Sequence, residues 1–255
     1  MNDVTSTTWY KFIGPFRALS FKAACLGLAA GLVACSSGPP RLAPGSSAAF
    51  GPDWQAFNFP GKTPTDYTPE TKGGRSAMRA DAVSSASMFR RTVRIAPQDV
   101  GRVKFSWQVA ELMAAADLTV RDKSDSPVRL VLAFEGDRSR FSAKDAMLSE
   151  LSHALTGEPM PYATLMYVWS NTRPVGTVLK SARTDRIRKL VVESGRNNLN
   201  AWLDYERDIA ADFEQAFGER PGALVGIGVM TDSDNTRTTA QAWYGAVTLA
   251  AASTR

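Results

Sequence analysis

Hydrophobic and polar side chains alternate along several segments, and this period of two restricts the possible folds more than any other feature. In residues 103–109 the odd positions are Val, Phe, Trp and Val, and the even positions are Lys, Ser and Gln. In residues 128–134 the even positions are Val, Leu, Leu and Phe, opposite Arg129, and in residues 163–169 the odd positions are Ala, Leu, Tyr and Trp. Because successive side chains of a strand point to opposite faces, each segment predicts a half-buried strand. Five further segments read as strands: 76–82, 86–95, 186–194, 223–231 and 240–249.

Clusters of Gly, Pro, Asn and Asp separate these segments, and two helices interrupt them. Residues 142–156 have Ser142 as a candidate N-cap and end at Gly157. Residues 208–217 end at Gly218. Many short strands with regular turns predict a mainly β fold, namely a single β-sandwich over residues 48–255 with one or two inserted helices.

The N-terminus has the organisation of an export signal. Three positive charges lie in residues 1–22, and the apolar run 23–34 follows, which is shorter than the roughly 20 residues of a membrane span. The run ends in Leu32-Val33-Ala34-Cys35, which resembles the lipobox of bacterial lipoproteins. This resemblance implies that residues 1–34 are a signal peptide, removed before Cys35, and that the Cys35 thiol is lipidated.

Residues 35–47 then form the lipidated cysteine and a tether rich in Ser, Gly and Pro. Ser36 follows the cysteine, and by analogy with lipoprotein sorting this predicts an outer-membrane protein that faces the periplasm. The other cysteine, Cys25, would leave with the signal peptide, so the mature chain could form no internal disulfide. The membrane is therefore the first expected partner, through the lipid anchor.

The charge distribution argues against a nucleic-acid partner. The formal net charge is +5, from 30 basic and 25 acidic residues. The basic residues are scattered along the sequence, whereas a nucleic-acid footprint requires a concentrated stripe.

Several stretches together resemble a known bacterial family, the domain of unknown function 3047. They are Phe105-Ser106-Trp107, residues 126–130, 161–169, 184–186 and 208–212, Phe217-Gly218, and residues 231–236. The resemblance covers about residues 50–250 and implies a shared fold but no activity. Residues 208–249 also resemble jelly-roll modules of the galactose-binding type, several of which bind sugars. That likeness implies a jelly-roll sandwich.

The segment 231–236 is the most suggestive polar loop. It places Asp232, Asp234 and Asn235 directly after a buried strand, together with hydroxyl side chains. Three interpretations are open: a tight turn capped by its own side chains, a ligand or glycan contact, and a calcium site with Asp232 and Asp234 as ligands.

Three further residues are ligand-binding candidates. Arg129 points away from the apolar face of its strand, so it forms either a structural ion pair or a ligand contact. Trp169 and Tyr244 either pack in the core or present an aromatic surface to a sugar. Trp243 and Tyr244 point to opposite faces of their strand, so only one of them can lie in the core.

The sequence favours a non-catalytic protein. His153 is the only histidine, so a zinc site built on His and Cys is not expected. We expect an envelope lipoprotein that binds a glycan or another envelope component. One alternative is a glycan-active enzyme with paired carboxylates, and the other is a scaffold that binds an envelope protein. The available carboxylates are Asp185, Asp208, Asp212, Asp232 and Asp234.

Overall fold

The computed structural model describes residues 49–252. These residues belong to the compact unit Ala43–Arg255. The predicted signal peptide (1–34), Cys35 and the tether to residue 47 lie outside the described residues. None of the described helices is long and apolar enough to cross a membrane.

The described residues form thirteen strands and two α-helices. The strands are β1 (Gln55–Asn58), β2 (Asp66–Lys72), β3 (Arg75–Val83), β4 (Ala86–Ile95), β5 (Arg102–Val109), β6 (Ser126–Phe134), β7 (Ala163–Ser170), β8 (Val178–Lys180), β9 (Ile187–Ser194), β10 (Leu203–Asp208), β11 (Leu224–Asp232), β12 (Thr239–Tyr244) and β13 (Thr248–Ala250). The helices are α1 (Ala143–Thr156) and α2 (Ile209–Phe217). The predictions of a mainly β chain and of two helices are confirmed.

The strands form two sheets. The seven-stranded sheet has the order β1-β4-β11-β6-β7-β9-β8, and the six-stranded sheet has the order β10-β5-β12-β3-β2, with β13 also paired to β5. Neighbouring strands are antiparallel except β7 and β9, which are parallel. The predicted strand 240–249 divides into β12 and β13. Between them, the Gly245 amide donates to the Ser106 carbonyl at 2.9 Å.

One hydrophobic core draws on both sheets. The Phe105 ring on β5 stacks on the Tyr167 ring on β7, with centroids 5.7 Å apart. Helix α2 adds Phe213, whose ring centroid lies 4.7 Å from that of Phe134. Large side chains at these inward positions are almost fully buried. Each is worth about 1.5–3 kcal/mol on burial, so this core is the main source of stability.

Helix α1 has both predicted ends. The Ser142 hydroxyl accepts a hydrogen bond from the Asp145 amide at 3.1 Å, and Gly157 ends the helix with φ of 76°. Three large apolar side chains of α1, Met147, Leu151 and Leu155, are more than half exposed. Since this helix buries few residues of its own, its apolar side chains are available to line a neighbouring space.

Candidate functional site

A buried ion pair lies on the outer side of the seven-stranded sheet. The Arg129 Nε donates to Asp232 Oδ1 at 2.9 Å, and its Nη2 donates to Asp232 Oδ2 at 2.8 Å. Both side chains are less than 7% exposed. Burial raises the pKa of the Asp232 carboxyl, and the Arg129 guanidinium opposes that rise. Arg129 therefore makes the structural pair that was one of its two predicted roles.

Tyr244 completes the backbone bonding beside this pair. The register between β6 and β11 shifts after Arg129, next to Pro127, which has no amide proton to donate. The Tyr244 hydroxyl accepts from the Arg129 amide at 3.3 Å and donates to the Met230 carbonyl at 2.6 Å. The Tyr244 side chain is 1% exposed, so its hydroxyl bridges an interruption in the sheet.

The loop 231–236 is folded around a third carboxylate, that of Asp125. Asp125 Oδ1 accepts from the Asn235 side-chain amide at 2.7 Å. Its Oδ2 accepts from the Thr236 amide at 2.7 Å and from the Thr236 hydroxyl at 2.6 Å. Asn235 therefore has a structural partner, and these bonds are those of the tight-turn interpretation.

Three carboxylates meet where this loop joins the sheet. One oxygen from each of Asp125, Asp232 and Asp234 lies within 4.8 Å of the others. Calcium needs six to eight oxygen ligands. Here Asp232 is paired with Arg129, Asp234 with Lys62, and Asp125 with the loop. The two cations match two of the negative charges, so the arrangement fits an internal charge network better than a calcium site.

Trp169 lies in the core. Its side chain is 1% exposed, and its Nε1 donates to the Gly195 carbonyl at 2.9 Å. On β12 the two aromatic rings separate as their alternation predicts. Tyr244 belongs to the core, and the Trp243 ring lies on the outer face under the Lys72 ammonium, 3.9 Å from the ring centroid.

A cavity of about 560 Å³ opens on the outer face of the seven-stranded sheet. Its floor crosses five strands in one row, from Arg90 through Gly228, Val131 and Met166 to Lys189. Neighbouring strands lie about 4.8 Å apart, so the row is about 19 Å long. A Cβ atom on Gly228 would lie 2.6 Å from the Met88 sulfur. The glycine therefore lets Met88 lie flat over β11.

The walls of the cavity are also largely apolar. Helix α1 contributes Leu148, Leu151 and Leu155 on one side, and residues 57–60 contribute Phe57 and Phe59 on the other. Methionine side chains also line the space: Met88, Met160, Met166 and Met230. Because methionine is flexible and polarisable, such a lining adapts to ligands of variable shape.

The charges of the cavity are not balanced. Six basic residues line it, Lys62, Arg90, Arg121, Arg129, Arg183 and Lys189, against the three acidic residues Glu158, Asp232 and Asp234. Lys189 is 5% exposed, and burial lowers its pKa to about 7. The lining thus combines an apolar floor with an excess of positive charge.

Residues 52–248 match the family model described as "Protein of unknown function (DUF3047)". The chain belongs to the DUF3047 family. No curated protein matches it.

Sequence reasoning found one end of the cavity in this DUF3047 chain and missed the rest. Arg129, Asp232, Asp234 and Asn235 all line its polar end. The apolar floor was hidden because Gly228, Val131 and Met166 come from three strands far apart in sequence. Lys189 had a local signal: a lysine at a position whose outward neighbours, Ile187 and Val191, are apolar.

Two other predicted residues lie away from the cavity lining. His153 is exposed on α1. The carboxylate of Asp212 accepts from Tyr167 at 2.8 Å and pairs with Arg207. That Asp212 carboxylate is thus engaged within the protein.

Proposed function

We propose that the protein is an envelope lipoprotein, anchored through Cys35, whose β domain binds an amphiphile in the outer-face cavity without transforming it. The occupant that fits best is a molecule with one extended apolar chain and an anionic end. The observation that carries the proposal is a floor about 19 Å long, apolar in its middle at Gly228, Val131 and Met166, in a cavity lined by six basic and three acidic residues.

The lining chemistry supports an amphiphile over a free glycan. A sugar ring carries hydroxyls on most sides and requires many polar partners. The middle of this floor offers Gly228, Val131 and Met166 instead. Each methylene of an acyl chain placed here would gain about 0.8 kcal/mol. Binding a glycan at the polar end, near Asp234 and Asn235, is the second candidate, because both residues line the cavity.

The envelope setting supports the same ligand class. An exported, lipid-anchored protein meets acyl chains continually, and the exposed leucines Leu151 and Leu155 lie at the wall of the cavity. For the fold, we propose that the two sheets form a β-sandwich of jelly-roll type, related to galactose-binding modules. The core shared between the sheets supports the sandwich.

The test is a titration of the full-length chain carrying Cys35→Ser, so that no attached lipid competes, with laurate and with dodecanol. The decisive variant is Ala133→Phe. Ala133 lies on the floor beside Gly226, and a phenyl ring there would fill the space. Gln241→Phe is the matched control, because it adds the same ring to the outer face of the other sheet.

We expect Ala133→Phe to weaken binding of both ligands at least about tenfold, equivalent to about 1.4 kcal/mol, and Gln241→Phe to leave it unchanged. Equal binding by wild type and Ala133→Phe would refute this site. Binding of an envelope glycan but of neither amphiphile would favour the second candidate.

A further inference from the structure

The cations of the cavity divide into two groups. Three of them are each paired with a carboxylate that also lines the space: Lys62 with Asp234, Arg90 with Glu158, and Arg129 with Asp232. The other three are Arg121, Arg183 and Lys189. Within residues 49–252, none of these three makes an ion pair with a carboxylate. The positive charge that remains unmatched therefore gathers at the β9 side of the floor.

These three residues come together from separate parts of the chain. Lys189 is buried on β9, where its Nζ donates to Ser124 Oγ at 2.6 Å and to the Leu118 carbonyl at 3.1 Å. Arg121 lies in the short 3-10 turn Arg121–Lys123, and Arg183 lies in the connection from β8 to β9. Both arginines are exposed. The arrangement is a buried ammonium group with two guanidinium groups nearer the solvent.

A second, smaller cavity lies among the same residues. Its volume is about 30 Å³, and Arg121, Ser124, Ser181, Arg183 and Lys189 line both it and the large cavity. One water molecule requires roughly 10–15 Å³ of such a cavity. The small cavity therefore has room for the two or three oxygen atoms of one small polar group.

A buried ammonium group without a counter-ion is costly. Taking a charge out of water is unfavourable unless an opposite charge or several hydrogen bonds compensate. Lys189 has two hydrogen bonds to neutral oxygens. A bound anion would supply the missing charge, and the two arginines could donate to its oxygens in the fork geometry that suits carboxylate and phosphate groups.

We infer that Arg121, Arg183 and Lys189 form the headgroup site for a small oxyanion, a carboxylate or a phosphate monoester, carried at one end of the amphiphile. This inference rests on the proposed function and makes it specific. With its oxyanion at Lys189, the apolar chain would run along the floor over Met166 and Val131 toward Gly228. The ligand class is then a single-chain anionic amphiphile.

The experiment compares headgroups on a constant chain. The full-length Cys35→Ser protein is titrated with laurate, dodecyl phosphate, dodecanol and dodecyltrimethylammonium. The variant is the double substitution Arg121→Gln with Arg183→Gln, which changes two exposed side chains and leaves the core intact. Arg173→Gln is the matched control, because Arg173 is also exposed but does not line either cavity. Thermal melts establish that every variant is folded.

We expect at least one of the two anions to bind about tenfold or more tightly than dodecanol, since hydrogen bonds to charged groups are stronger than those between neutral groups. The anion whose affinity exceeds that of dodecanol by the larger factor identifies the headgroup. The double variant should bind the anions and dodecanol within about twofold of each other, a difference of under about 0.5 kcal/mol. Arg173→Gln should behave as wild type.

Two outcomes distinguish failure of the headgroup site from failure of the proposed function. If both anions bind no more tightly than dodecanol, the headgroup site is refuted while the apolar cavity stands. If none of the four ligands binds, the proposed function fails with it. Preference for dodecyltrimethylammonium would also overturn the headgroup site, because three cations cannot select a fourth.

Discussion

The outer faces of the two sheets differ in how many of their charged and aromatic side chains are paired with one another. On the six-stranded sheet, Arg79 is paired with both Glu70 and Asp81. Glu70 also accepts from the Trp243 indole, whose ring the Lys72 ammonium covers. On the seven-stranded sheet, the outer face contains an apolar cavity, and three of the cations that line it make no ion pair with a carboxylate of residues 49–252.

This difference indicates on which face the binding of a ligand would be more favourable. A face whose charges and rings already contact one another gains little from a new partner, because each existing contact would first have to break. The seven-stranded face presents the opposite case, with exposed leucines on α1 and a buried ammonium group at Lys189. Binding there would cover apolar surface and neutralise charge together.

The largest expected effect comes from breaking the one fully buried ion pair of the cavity, with Asp232→Ala. The Arg129 guanidinium would then be buried without its partner, and we expect the free energy of unfolding to fall by about 3–5 kcal/mol. Urea denaturation monitored by tryptophan fluorescence measures the change. Replacing both residues, Arg129→Met with Asp232→Leu, should recover part of the loss. A loss below about 1 kcal/mol for Asp232→Ala would show that solvent reaches the pair.

The next effect concerns the loop 231–236. In Asp125→Ala the Thr236 amide and the Asn235 side chain lose their acceptor, and we expect a loss of about 1–3 kcal/mol. Calcium titration of wild type in the same denaturation assay is the companion measurement. If calcium stabilises wild type and Asp125→Ala abolishes that gain, the carboxylate cluster is a metal site and the charge-network interpretation is wrong.

The fold was predictable where the pattern of apolar residues within a single strand was sufficient to identify that strand. The apolar positions of 103–109 and 128–134 located β5 and β6, because these side chains enter the core. The expectation that 128–134 is half-buried was wrong, since β6 is buried on both faces. Strands β2 and β10 were missed because their burial is only partial along their length. A short edge strand such as β8, with three residues, is defined by its hydrogen bonds to β9 rather than by its own pattern.

The candidate site was predictable in its parts but not in its assembly. A half-buried Arg129 required a carboxylate, but the carboxylates near it in sequence are Asp117, Asp122 and Asp125, and none of these is the partner that the structure shows. Only the pairing of β6 with β11 brings Arg129 and Asp232 together. The cavity floor is an inter-strand property of the same kind, since Gly228 on β11 and Lys189 on β9 become part of one row through the two strands between them, β6 and β7. No local sequence window contains that information.

A smaller expected effect is the contribution of Lys189 to the pH dependence of the free energy of unfolding. Burial first, and then Arg129 and Arg183, lower its pKa to about 7, while Asp232 and Asp117 oppose the shift. The unfolded chain has the ordinary value of about 10.4. Between these values the unfolded state holds a proton that the folded state has released, so the free energy of unfolding should rise with pH across this window.

The variant Lys189→Met should remove that contribution, and Lys180→Met is the matched control, because Lys180 is exposed on the neighbouring strand β8. The measurement is urea denaturation of both variants and wild type at about pH 7 and about pH 9.5, near the lower and upper ends of the window set by the two pKa values. If Lys189→Met and Lys180→Met change the pH dependence equally, the Lys189 ammonium is solvated.

The smallest effect is expected on the six-stranded face. Arg79 is about one-third exposed and has two carboxylate partners. We expect Arg79→Gln to change the urea midpoint less than any of the preceding variants, because partly exposed ion pairs are screened by water and salt. The variant should bind laurate as wild type does. A loss of laurate binding in Arg79→Gln would place ligand contacts on the face whose side chains already satisfy one another. It would thereby reverse the assignment of the two faces, even if the stability change were as small as expected.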